Sequence, residues 1–229
     1  MKKKTAVFLG ISACLILTAF QMYTPKPPVP RPFLPKTFCG VLGGEKIEVA
    51  SGYFGTIPDY EGITAWGANR LKVNEDCSSK FNRLEIHTNI NSGKPSEPFG
   101  QRPFDVVIKY SQSNGFHRII DRAREISEDQ ENQLVTDNSE TKTYETKRNE
   151  IGHFSRKIIY LSGGQESHIL DCAVNKSGMM VNCNLSYNSD RFDIDVFGEY
   201  DLLINTSKIK IFTNSFIDSV RIKGTASDQ

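Results

Sequence analysis

The chain has 229 residues, 38% apolar and 24% charged, with a formal net charge of +1. This is enough apolar content for a packed core, and too balanced a charge for a chain that binds nucleic acid or an acidic surface through its overall field. Lys2, Lys3 and Lys4 form a basic cluster, but they lead straight into an apolar run.

That run, Thr5–Tyr23, is uncharged over 19 residues, long enough to span a hydrocarbon core. Three readings fit it: an uncleaved anchor with its lysines in the cytoplasm, a cleaved signal peptide, or a lipoprotein signal with Cys14 in Ile11-Ser12-Ala13-Cys14 as the lipidated residue. Each exports the remainder of the chain. Residues 24–36 carry six prolines and tend to polyproline II, so they read as an extended spacer or as a proline-rich ligand.

Residues 37–110 read as β-rich. Lys46–Ala50 and Arg70–Val73 are short strands. Leu84, Ile86, Thr88 and Ile90 alternate with Glu85, His87 and Asn89 as a half-buried strand, and Phe104–Tyr110 reads as a more central one. Between them run two long segments, Gly52–Gly67 and Asn91–Pro103. The first holds Tyr53, Phe54, Tyr60 and Trp66 with Asp59 and Glu61. Aromatics there either make a binding surface or fold under and cover the core.

A helix is expected over 114–135, with Asn114 as N-cap and Phe116, Ile119, Ile120, Ala123 and Ile126 on one face. Thr136–Glu150 reads as a loop or an outer hairpin. Ile151–Leu161 begins a second sheet and turns at Gly163-Gly164. Ser167–Val174 and Met179–Tyr187 flank Lys176-Ser177-Gly178, a turn composition. In Arg191–Phe197, Phe192, Ile194 and Val196 share one face, and Asp193 and Asp195 the other. Ile209, Phe212, Phe216 and Val220 then recur at helical spacing. The fold class expected is α+β, with antiparallel sheets each packed by an amphipathic helix and two similar lobes as one option. The divisions are 1–23 (anchor or signal), 24–36 (spacer), 37–135 (β-rich lobe with helix) and 136–229 (stapled sheet with C-terminal helix).

Outside the apolar segment the cysteines are 39, 77, 172 and 183. An even number in an exported domain suggests two disulfides. Cys172 and Cys183 lie five residues either side of Ser177-Gly178, so they face each other in a hairpin with that turn. Cys39–Cys77 follows by elimination. Their spacing does not suit a metal, and no cofactor motif is present. His87, His117, His153 and His168 are scattered. The enzymatic alternative needs His87 or His168 beside a carboxylate brought from elsewhere. Asp193 and Asp195 read as the wet face of their strand.

Lys36-Thr37-Phe38-Cys39-Gly40 with Ile47-Glu48-Val49, then Cys183-Asn184-Leu185-Ser186-Tyr187 and Ser215-Phe216-Ile217-Asp218-Ser219-Val220, resemble the periplasmic immunity proteins that accompany type VI secretion effectors, especially lipase effectors. These stretches cover under a tenth of the chain. The resemblance implies a non-enzymatic α+β protein of the periplasm that blocks a secreted toxin enzyme by contact, without nucleic acid, and with membrane contact through the N-terminal segment only. The spacer and the anchor depart from a freely soluble immunity protein. On this reading the partner-binding residues are Tyr53, Phe54, Asp59, Tyr60, Glu61, Trp66, Phe99 and Arg102. The rival reading is a membrane-tethered accessory domain of a bacterial envelope assembly.

Overall fold

A computed structural model describes residues 35–55, 58–62, 77–96, 106–112, 117–189 and 191–222. They open with a hairpin of β1 (Thr37–Leu42) and β2 (Glu45–Ala50). Its two-residue turn is Gly43-Gly44, at φ +58° and +83°, a conformation that strains any residue with a side chain. The remaining strands are β3 (Asp59–Tyr60), β4 (Phe81–Thr88), β5 (Val106–Gln112), β6 (Asn132–Asp137), β7 (Thr141–Thr146), β8 (Phe154–Ser162), β9 (Gln165–Val174), β10 (Met180–Asn188) and β11 (Phe192–Gly198). The helices are α1 (His117–Glu128), α2 (Tyr200–Leu203) and α3 (Thr206–Val220).

Strands β3 to β11 make one nine-stranded antiparallel sheet in the order β3-β4-β5-β11-β10-β9-β8-β7-β6. Strands from 37–135 and from 136–229 therefore meet in one sheet, where β5 pairs with β11 and where β6, which crosses the 135/136 division, pairs with β7. Strands β6 to β11 form a simple meander, and β5 is followed by the far edge strand β6. At about 4.8 Å per strand that step spans roughly 29 Å. Helix α1 accounts for about 18 Å of it, at 1.5 Å per residue over 12 residues. The long step is why α1 lies across one face of the sheet.

Turn chemistry sets the meander. Asn149 and Asn175 build the same turn twice. In each, the side-chain carbonyl accepts from the backbone two and four residues on, and a glycine at positive φ donates back to the asparagine carbonyl. Gly163-Gly164 repeats the β1–β2 solution between β8 and β9, at φ +59° and +83°.

Each face of the sheet has its own composition. On one face Leu84, Ile86, Ile108, Tyr110, Ile194, Val196, Leu185 and Leu170 form a core with Ile209, Phe216 and Ile217 of α3 and with Leu42, Ile47 and Val49 of the first hairpin. On the other, Ile159 and Ile169 pack with Tyr144 and with Ile119, Ala123 and Ile126 of α1. The alternation of β9 separates these clusters, with Ile169 on one side and Leu170 on the other.

The expected helix over 114–135 covers 117–128; Asn114 and Phe116 lie outside the described residues. It stops early because Asn132 turns its amide back onto the Ile126 carbonyl (2.9 Å), and Asp129 accepts from Glu131 N (2.9 Å). Asn132 then starts the hairpin β6–β7. The strand expected at Arg70–Val73 also lies outside the described residues.

Both disulfides join the cysteines expected, Cys39 with Cys77 and Cys172 with Cys183. The geometry of the second differs from simple symmetry. The turn is Asn175–Met179, which leaves Cys172 two residues before the pair Val174–Met180 and puts Cys183 three after it. Asn182, at φ +50°, takes up the extra residue as a bulge, and Cys183 comes opposite Cys172. Disulfides of this kind point to an oxidising, extracellular-type compartment. No helix of the described residues is long and apolar enough to cross a membrane.

Candidate functional site

The start of the first long segment meets the start of the second at one end of β4. After β2 the chain turns through Ser51–Tyr53, and Tyr53 Oη donates to the Gly93 carbonyl (2.6 Å) in the turn after β4. Asn89 shapes that turn by accepting from Asn91 N and Ser92 N, both at 3.0 Å. Lys208 of α3 reaches across to the Asn91 side chain. Asn91, Ser92 and Lys208 stay exposed, so the cluster shows a polar surface of amide, hydroxyl and ammonium groups.

Three aromatic residues of the first segment, Tyr53, Phe54 and Tyr60, pack inward. Tyr60 is buried, stacks on Phe81 at 4.4 Å, and donates to the Cys39 carbonyl. Phe54 meets Phe38 edge-on at 5.2 Å, and Tyr53 meets Phe216 at 5.1 Å. Of the two roles open to them, these three fill the core-covering one. Asp59 accepts from Asn82 (3.3 Å), and Glu61 lies exposed 3.9 Å from Lys80. Both sit at the start of β4, about 20 Å along the strand from Asn91. The structure thus brings Tyr53 and Phe54 to the loop cluster and leaves Asp59, Tyr60 and Glu61 at the other end. Trp66, Phe99 and Arg102 lie outside the described residues.

Gly40 explains part of the Cys39-Gly40 stretch. A Cβ there would come within 2.6 Å of the Ser79 carbonyl and 2.7 Å of the Phe81 ring. The close approach lets Val41 N donate to Ser79 O (2.8 Å) and lets the disulfide fasten the hairpin to the lead of β4.

On the α1 side of the sheet the charged groups form a cross-strand array. Arg118 contacts Asp193 (3.5 Å) and Asp195 (3.0 Å). Arg122 donates to Ser186 Oγ (2.7 Å), which donates in turn to Asp195 (2.5 Å). Asp193 is only 4% exposed, so the face expected to be wet is covered here by the helix's arginines. One strand further, Asp171 has its pKa raised by burial, with Lys157 and Arg122 pulling the other way. Toward β4 the array opens to Lys109 and Glu85 (3.4 Å), with Lys109 also over the Phe197 ring at 4.5 Å.

His87 stands beside this array, 3.7 Å from Glu85. Burial lowers its pKa, Glu85 opposes the shift and Lys109 adds to it. The Glu85 carboxylate beside it is shared with Lys109. His168 lies on the dry face, stacked on Tyr160 at 4.3 Å, and accepts from or donates to Ser167 Oγ through Nδ1 (2.8 Å). Its pKa falls to about 4, first through burial and then through the charge of Lys210. The His117 side chain lies outside the described set, and His153 sits in the β7–β8 turn, donating its N–H to Asn149.

Arg118 and Arg122 were not legible as site residues. Their i, i+4 spacing reads as an exposed helix stripe, and the partner acids lie more than seventy residues away. Only the long step from β5 to β6 brings them together.

No family model matches the chain, and no curated protein or solved structure is significantly similar to it.

Proposed function

We propose that this is an exported binding protein that neutralises a secreted antibacterial enzyme by direct contact, held at the inner membrane by residues 5–23 with 24–36 as spacer. The observation that carries this reading is the loop cluster. The Ser51–Tyr53 and Asn89–Lys94 turns are fixed to each other through Tyr53, to α3 through Lys208, and to a sheet stapled by two disulfides. A contact surface already ordered before binding loses less entropy on association. The aromatic residues beneath it serve as a foundation, and the exposed amides and lysines make the contacts. In this reading the two helix-backed clusters are the rigid parts behind the contact surface. An interface of ordinary size buries about 1,600 Å² in total, more than the Asn89–Lys94 turn alone supplies, so Glu85, Lys109 and Phe197 on the neighbouring open face complete it.

The test is co-purification of the full chain from the envelope of cells that make it, read by mass spectrometry, with Asn91→Arg and Lys208→Glu as paired variants. One stoichiometric hydrolase lost from both variants supports the reading. A stable set of inner-membrane assembly proteins, unaffected by either variant, replaces it with the tethered accessory domain.

A further inference from the structure

Between α1 and the outer strands β7 and β8 lies a groove of 270 Å³ that the loop cluster does not touch. Its floor is apolar, made by Ala123, Tyr144 and Ile159, each under 8% exposed. Its wall is Ile120 and Ser127 of α1, and its charged lining groups are Arg124 and Lys142. Both are cations, and among the described residues no carboxylate lines the groove. Asp121 is 3.8 Å from Arg124 on an exposed helix surface, and Asp137 stands opposite Lys142 in the β6–β7 register without an ion pair within 4 Å. Ser127 Oγ is engaged with the Arg124 carbonyl (2.8 Å), which fixes the wall locally.

An apolar floor edged by two cations matches one ligand chemistry, an anionic head on a short apolar body. The flat body lies against Tyr144 and Ile159, where it leaves water. The carboxylate sits between the guanidinium and the ammonium, where charge-assisted hydrogen bonds are strongest. The volume lies just below the range of drug-sized pockets, so it admits a single ring or a few-carbon chain. We propose that this groove is a binding site for a free small organic acid with an aromatic or short aliphatic body. The site goes beyond the toxin-binding reading and does not depend on it.

The probe is 4-phenylbutyrate, titrated into the isotope-labelled full chain and followed by amide chemical shifts. A ligand of this size binds with a Kd of about 1 mM. Saturable shifts confined to Ile120, Ala123, Ser127, Lys142 and Ile159 are expected. The neutral amide of the same acid should bind at least about tenfold more weakly, as should the acid to Arg124→Glu and Lys142→Glu, both of which place the change at the groove's rim. Shifts that fail to saturate, that spread beyond the groove, or that are equal for the acid and its amide overturn the proposal. So does undiminished binding to both folded variants.

Discussion

Helix α3 meets the sheet through Ile209, Phe216 and Ile217, and its one buried polar side chain, Thr213, is fully engaged: it donates to the Ile209 carbonyl and pairs with Tyr187 Oη. Tyr110 Oη adds a bond to the Thr213 carbonyl at 3.0 Å. Helix α1 meets the opposite face through a narrower apolar strip beside the Arg118 and Arg122 contacts to Asp193, Asp195 and Ser186. Dry contact gains with every square ångström removed from water. A half-buried ionic contact gains little net, because desolvation offsets attraction, yet it penalises the loss of one partner heavily. The dry face therefore supplies stability, and the ionic face supplies position: α1 is held at one angle across the strands it spans.

Truncation on the dry side should have the largest effect. Ile194→Ala, at 1% exposure under α3, should lower unfolding free energy by about 4 kcal/mol in urea denaturation. A loss under about 1 kcal/mol would mean that α3 is not seated on this strand. On the ionic side, Arg118→Ala should cost about 2 kcal/mol, since it withdraws a cation from buried Asp193 and half-buried Asp195. Asp193→Asn should recover part of that loss in the double variant, and strict additivity would show that the pair is not coupled.

Acid should separate the faces further. In the folded chain His168 is held to about 4 against an ordinary 6.5. Between those values the unfolded chain takes up a proton that the folded chain resists, so stability is full above pH 6.5 and falls as the pH drops toward 4. The His168 part of the loss is on the order of 2 kcal/mol and should be missing from His168→Gln, while the part of the same sign from His87 stays, followed by denaturation at stepped pH. The smallest effect belongs to a charge pair in water. Arg191→Ala removes contacts to Glu45 (3.0 Å) and Asp218 (3.9 Å), with Arg191 46% exposed, and should change stability by less than about 0.5 kcal/mol. A larger change would show that exposure alone does not separate this pair from Arg118 and its acids.

Local chemistry was readable where a few neighbouring residues decide the outcome. The alternation of Phe192, Ile194 and Val196 placed β11, the cysteines placed both staples, and the helical spacing from Ile209 placed α3. The join between β5 and β11 was not readable, because it pairs segments some eighty residues apart through side chains that would suit several neighbours. The loop aromatics show the same limit. Tyr53, Phe54 and Tyr60 have the composition of a contact surface and also of a lid on the core. Only the positions of Phe81, Phe38 and Phe216 decide between them. The turn at Asn149 repeats the one at Asn175 in the same Asn-x-x-Gly spacing, a signal that four neighbouring residues carry on their own.

The Cys39–Cys77 link also determines how the chain carries a mechanical load. A pull applied ahead of Thr37 can peel away two residues of β1 before it reaches a covalent bond. From there the tension crosses directly to Cys77 and into β4, bypassing the enclosed loop. With the cysteines 38 positions apart, about 125 Å of contour length stays unavailable to stretching. Under tension the domain should behave as a short, stiff link at its leading end, with the Ser51–Tyr53 turn inside the loop and shielded from the force.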